Sequence, residues 1–302
     1  MERVVVAGGA GFIGHHLARA LKKQGKYVRV VDIQPLEYPD CCDEYICIDL
    51  RSYDACKCAV AGMDEVYQLA ADMGGMGFIE SHPQEIMYNN ALINLNMVKA
   101  SQEEGIKKYF YSSSACVYRD MKIGEPELTE EEAYPAMPHN EYGWEKLYAE
   151  RVALASDMDV RIARFQNTYG PEGTFDGGRE KAPAAICRKV IKDKVVEVWG
   201  DGTAVRNYIY VDDLVSGILK LMESNLREPI NIGSDEYVSV SELVEKVMKI
   251  SGNKKEIRFV DGPVGVESRN FSNNKLKSLG WEPKWSLSGG LEETYKWIES
   301  QV

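Results

Sequence analysis

The chain of 302 residues contains no run of eighteen or more apolar residues, so no helical membrane span is expected. Basic residues are scarce: 36 lysines and arginines face 47 acids. The resulting charge of −11 repels nucleic acid and anionic membrane surfaces, which argues against either as a partner. The seven cysteines (Cys41, Cys42, Cys47, Cys56, Cys58, Cys116, Cys187) are odd in number and irregular in spacing, which suits neither a disulfide framework nor paired metal clips. Cys56-Lys57-Cys58 is too tight for a clip and has no histidine close in sequence, so no metal centre is expected. Repeats, linkers rich in Pro, Gly or Ser, and a basic leader ahead of an apolar run are also lacking. A reducing, cytoplasmic setting follows, with any second domain interleaved with the first.

Short apolar segments alternating with helical periodicity fill the first 165 residues, the pattern of βαβ units. Strands are expected at Arg3–Ala7, Tyr27–Val31, Glu44–Ile48, Glu65–Leu69, Tyr109–Ser112 and Val160–Arg164, with long helices over Pro83–Glu104 and Glu141–Ser156. Both helices are partly apolar on a second face. Contact with a second copy or packing within one subunit explains that equally well. Beyond Tyr169 glycine and proline become denser, which predicts a loop-rich lobe with shorter helices. The fold class is therefore α/β, a Rossmann doubly wound parallel sheet with a smaller, interleaved C-terminal substrate domain. The NAD-binding domain spans 1–168, with a returning segment at about 206–230, and the substrate lobe comprises 169–205 and 231–302.

The segment Val4-Val5-Val6-Ala7-Gly8-Gly9-Ala10-Gly11-Phe12-Ile13-Gly14 sets Gly8, Gly11 and Gly14 three apart, between an apolar strand and a helix from His15 to Gln24. Glycine allows a tight turn and close approach of a pyrophosphate, while the helix N-terminus offers N–H donors and partial positive charge. Asp32 ends the next strand about twenty residues on, where a carboxylate accepts from both ribose hydroxyls and repels a 2′-phosphate. NAD is thus expected in preference to NADP. Phe12, Ile13, Asp49 and Leu50 complete the cofactor candidates, although Asp49 alone reads more simply as a cap for a helix starting near Ser52.

Tyr142 and Lys146, in Tyr-Gly-Trp-Glu-Lys, lie four apart and share a helix face. A nearby ammonium stabilises tyrosinate, so the pair can take a proton from an alcohol as hydride leaves its carbon. Ser112-Ser113-Ser114-Ala115-Cys116, a strand running into a serine-rich turn, can orient the same alcohol. In this order, the glycine fingerprint, Asp32, the serine turn and the Tyr-x-x-x-Lys pair resemble the extended short-chain dehydrogenase/reductase family. Within it the likeness is strongest to epimerases acting on GDP-hexoses. It covers nearly the whole chain, through Ala71-Asp72-Met73-Gly74-Gly75-Met76-Gly77-Phe78-Ile79, Met87-Tyr88-Asn89-Asn90, Gly177-Gly178-Arg179-Glu180-Lys181-Ala182-Pro183, Asn167-Thr168-Tyr169-Gly170-Pro171 and Trp199-Gly200-Asp201-Gly202.

The resemblance implies that Tyr142 is the base for oxidation at sugar C4, Lys146 holds the cofactor ribose and lowers the tyrosine pKa, and Ser114 hydrogen-bonds the C4 oxygen. It implies Cys116 and Lys181 as an acid/base pair: a C4 ketone acidifies the hydrogens on C3 and C5, and one group removes a proton while the other returns it. Without the family, a cysteine after a core strand reads as small buried filler and Lys181 as a solvated loop charge. The resemblance further assigns Gly74, Asn167, Glu180, Lys181 and Ala182 to the sugar and its phosphate, and Lys189, Arg206 and Arg269 to the diphosphate. Glu267 stands where that branch carries an arginine. The implied reaction is NAD-dependent conversion of GDP-mannose to GDP-L-galactose by a homodimer, with GDP-L-gulose as the C5-only product. Another nucleotide-sugar 4-epimerase or dehydratase is the alternative within the family. A non-catalytic NAD-binding protein is the alternative outside this chemistry.

Overall fold

The structure is a computed structural model describing residues 1–262 and 265–302. Its strands are β1 (Arg3–Ala7), β2 (Tyr27–Asp32), β3 (Glu44–Cys47), β4 (Glu65–Gln68), β5 (Lys108–Ser114), β6 (Asp159–Phe165), β7 (Asn167–Tyr169), β8 (Val195–Trp199), β9 (Val205–Tyr210), β10 (Ile230–Ile232), β11 (Tyr237–Ser239) and β12 (Glu256–Val260). Among the described residues the main sheet is parallel with seven strands, in the order β10-β6-β5-β4-β1-β2-β3. Its helices are α1 (Phe12–Lys23), α2 (Tyr53–Val60), α3 (Met76–Ser81), α4 (Pro83–Glu104) and α5 (Glu141–Leu154).

Strands covered on both faces must be apolar along their whole length, and β1 shows how. Val4 and Val6 point into one core with Leu17 and Leu21 of α1, whereas Val5 and Ala7 point into a second core with Met97 of α4 and Ala149 of α5. The period of two sends one strand into two cores. Five strands differ from expectation by one or two residues at one or both ends, and α1 starts three residues earlier, inside the glycine segment.

Beyond β7 the chain forms α6 (Ala182–Lys192), α7 (Val211–Glu223), α8 (Val240–Ser251), α9 (Asn274–Ser278) and α10 (Leu287–Gln301), of which α6, α8 and α10 build the second lobe. The expectation of a loop-rich lobe with short helices is corrected here. α6, α8 and α10 have ordinary lengths and pack around Cys187, Val190, Leu243, Val247, Leu291 and Ile298. Glycine and proline concentrate in the connections and leave the amphipathic periods intact. Two small sheets, β11-β9-β7 and β12-β8, complete the lobe. α7 packs on α1, and β10 pairs with β6, so the segment returning to the main sheet extends to Ile232. Leu276, Leu279 and Trp281 also pack into that first core, so the chain crosses between lobes repeatedly.

Candidate active site

At the carboxyl ends of β1, β4, β5 and β6 lies one cleft of about 1040 Å³, and every candidate catalytic, cofactor and substrate residue lines it, whereas Glu267 does not. Gly8 sits at φ +77, where a side chain is strained, and a Cβ on Gly14 would lie 2.1 Å from the Gly8 carbonyl oxygen. Gly11 precedes α1 with no side-chain cap, leaving N–H groups at that helix end for a ligand. Asp32 closes the cradle, accepting from the Ala10 amide at 3.0 Å through one oxygen and from the Gln34 amide at 2.9 Å through the other. These residues fit a dinucleotide pyrophosphate and its adenosine ribose. Asp49 caps nothing on α2; it grips Arg51 at 2.6 Å on the cleft wall, and that guanidinium holds its carboxyl below the usual range.

The reacting groups come from two elements driven together. Asn140 caps α5 by accepting from the Gly143 amide at 3.0 Å, and Ser114 accepts from the Cys116 amide at 3.1 Å to shape the turn after β5. Where they meet, a Cβ on Gly143 would lie 2.1 Å from the Cys116 carbonyl oxygen. Glycine between Tyr142 and Trp144 therefore sets the separation of the two elements. The Tyr142 hydroxyl is buried and hydrogen-bonded with Ser114; burial pushes its pKa up, the thiol of Cys116 and the carboxylate of Glu145 add to the rise, and Ser114 opposes it. Lys146 donates to the Ser112 carbonyl at 2.9 Å, with Nζ over the Tyr111 ring at 4.9 Å and 5.7 Å from the Tyr142 ring centre. The ammonium is thus held beside the phenol without bonding it.

Lys181 enters from the second lobe, where Nζ donates to the Gly74 carbonyl at 3.1 Å. Burial lowers its pKa, and its interaction with Cys116 opposes the fall. Arg179 donates to the Met73 carbonyl at 3.2 Å, pairs with Asp72 at 3.4 Å and covers the Phe78 ring at 3.8 Å. Asp72 in turn accepts from Asn89 at 3.0 Å, and Asn89 from Arg51 at 3.1 Å. This bridge across the cleft, from the Asp49 edge to the segment carrying Lys181, was missed in the sequence. Asp72 and Arg179 are 107 residues apart, and no local pattern pairs them.

The cations expected on the diphosphate also reach the cleft. Lys189 donates to the Glu197 carbonyl at 2.6 Å and Arg269 to the Arg119 carbonyl at 3.0 Å, while Arg206 donates to the carbonyls of Val205, Val266 and Glu267. The carbonyl partners of Lys189 and Arg269 bring no negative charge, which suits an anion arriving at so acidic a chain. Burial lowers the pKa of Arg206 and Arg269, and a phosphate would reverse that. Asn167, on β7, and Glu180 and Ala182, beside Lys181, line the same space. A cluster the sequence did not suggest joins His15, His16 and Glu172. Arg19 donates at 3.1 Å to the Glu172 oxygen that His15 meets at 2.8 Å, so a guanidinium already supplies the positive charge there.

Known proteins resemble this chain over almost its whole length. GDP-mannose 3,5-epimerase of Arabidopsis thaliana is 45% identical over 312 residues, an alignment covering 99% of this chain and 83% of that protein. The UDP-glucose 4-epimerase of Thermotoga maritima, solved with UDP-glucose, superposes with a TM-score of 0.91 at 27% identity over 99% of each chain. That of Thermus thermophilus, solved with NAD, gives 0.88 at 25% identity over 99% of this chain and 100% of its own. The family model that matches residues 4–233 is the epimerase model, and the chain belongs to the NAD dependent epimerase/dehydratase family.

Proposed function

We propose that the chain converts GDP-mannose to GDP-L-galactose by epimerisation at C3 and C5, releasing GDP-L-gulose when only C5 is inverted. The observation that carries this reading is that Cys116 and Lys181 line one cleft, within electrostatic reach of each other, together with Ser114, Tyr142 and Lys146. A simple 4-epimerase has no use for that second pair, and a dehydratase wants a carboxylic acid in the turn, where this chain has Ser114-Ala115-Cys116. The identity to the Arabidopsis enzyme supports the choice of substrate.

Gly8, Gly11 and Gly14 with Asp32 would hold NAD, which would supply reversible hydride acceptance at C4 with no net redox change. Ser114 orients the C4 hydroxyl, and Tyr142 holds the proton that leaves it and later returns. Lys146 keeps positive charge beside that phenol. Cys116 and Lys181 exchange protons at C5 and C3, and burial, by lowering the lysine, eases the release of its proton. Lys189, Arg206 and Arg269 hold the diphosphate. The exposed Met87, Tyr88 and Leu95 on α4 and Trp144 and Tyr148 on α5 support a homodimer joined through these helices. No described helix is long and apolar enough to cross a membrane, and the cysteines are free, which supports a cytoplasmic setting.

Proton NMR of the enzyme with GDP-mannose in D2O tests the reading. Deuterium is expected at C5 and C3, accompanied by new GDP-hexose signals. Cys116→Ser should slow this exchange by about 100-fold or more, the scale of a lost general acid or base. Absence of exchange with GDP-mannose would refute the substrate assignment and turn the search to other nucleotide sugars.

A further inference from the structure

Glu145 has no part in the chemistry described so far, yet it is 1% exposed and lies immediately before Lys146, on the buried side of α5. Asn94 of α4 donates to one of its oxygens at 2.7 Å; the other, Oε2, is buried without a hydrogen-bond partner. Asn94 is itself fixed, accepting from Gln68 at 2.9 Å and donating to the Tyr111 hydroxyl at 3.3 Å. A carboxylate buried on one amide donor is costly, and it persists where another charge repays it.

The charges around it identify that partner. α4 presents only Asn89, Asn90, Asn94, Ser101 and apolar residues to the interior, and β4 presents Gln68. From β5 come Tyr111 and the Ser112 carbonyl, and from the following turn Cys116. On α5 itself are Tyr142, Lys146 and Glu150. Glu150 is committed to Arg164 of β6, at 2.7 and 2.9 Å, and accepts from Ser113 at 2.5 Å. Burial depresses Lys146, and Glu145 is its strongest offset, ahead of Glu150 and Cys116. Burial also raises Glu145, with Lys146 opposing.

We propose that Glu145 is a positioning residue of the reaction, the counter-charge that Asn94 anchors in the core and that keeps the buried Lys146 ammonium in place beside Tyr142. The proposal rests on the Tyr142–Lys146 pair working as described above. Direct Coulomb interaction with Tyr142 runs the other way, raising the phenol, so the carboxylate acts through the lysine. Removing it releases the ammonium proton at lower pH and costs turnover most on the alkaline side.

The experiment is a titration of the NAD-loaded enzyme by ¹³C NMR of labelled lysine, with the Lys146 signal assigned by its loss in Lys146→Met. In Glu145→Gln the Lys146 midpoint should fall by about one pH unit or more, the size expected for losing an opposing charge in the buried interior. The alkaline limb of kcat should fall with it, KM should hold within about twofold, and Glu145→Asp should restore part of both shifts. An unmoved midpoint in a folded Glu145→Gln overturns the proposal, as does a kcat loss equal at every pH. Should Glu145→Gln not fold, Asn94→Ala decides. Stripped of its donor, Glu145 should take up its proton at higher pH, and the acid limb of kcat should rise; an unmoved acid limb overturns the proposal. The lysine titration needs no substrate, so it stands apart from any failure of GDP-mannose to react.

Discussion

Gly143 places the two halves of the reaction centre. Its missing side chain lets the start of α5 sit against the Cys116 carbonyl, and an added methyl would need the 2.1 Å gap to open by more than an ångström. Gly143→Ala is therefore expected to destabilise the fold by about 1–3 kcal/mol. Turnover should fall further, by about 100-fold, because Tyr142 and Ser114 are pushed apart. Denaturant unfolding and steady-state kinetics on the same preparation check both. A loss of stability with turnover intact would show that the close approach serves packing alone.

Among the elements, α4 and α5 carry two duties. Their inner faces hold Asn94, Glu145, Lys146 and Glu150, while their outer faces leave Tyr88, Trp144 and Tyr148 in solvent. Trp144 and Tyr148 are one turn apart on the face opposite the reacting one. If two copies join there, Tyr148→Arg sets unpaired charge into the seam and should yield monomers in light scattering at micromolar concentration. The inner face is untouched, so NAD binding should survive. An unchanged mass would place any association elsewhere.

For the molecule as a whole, Glu172 ties the lobes together. It lies on the loop after β7 at φ +63, a conformation uncommon outside glycine, with Arg19 and His15 of α1 holding its carboxylate. Burial alone would raise its pKa, but Arg19 and the histidines hold it below the ordinary value. A carboxyl depressed in the fold adds stability above its unfolded pKa and loses it as pH falls through the folded one. Glu172→Gln should then cost about 1–2 kcal/mol near neutral pH, lowering Tm, and the two proteins should converge in acid. A pH-independent difference would assign the cost to backbone strain instead.

Much of this molecule is legible in its order of residues, because the decisive constraints are local. Gly8 and Gly14 are needed within one turn, β1 alternates between two cores at its own period of two, and Tyr142 and Lys146 share a face by helical spacing. Glycine and proline density misled about the second lobe, whose α6, α8 and α10 keep their periods between the breaks. The bridge from Asp72 to Arg179, the grip of α1 on Glu172 and the commitment of Glu150 to Arg164 join residues remote in sequence. A charge declares its sign in the sequence, but its partner is chosen where the sheet, the helices and the second lobe converge and water is excluded. Burial there makes an unpaired charge costly, so folding decides which acids neutralise which bases and which, like Glu145, remain to act on a neighbour.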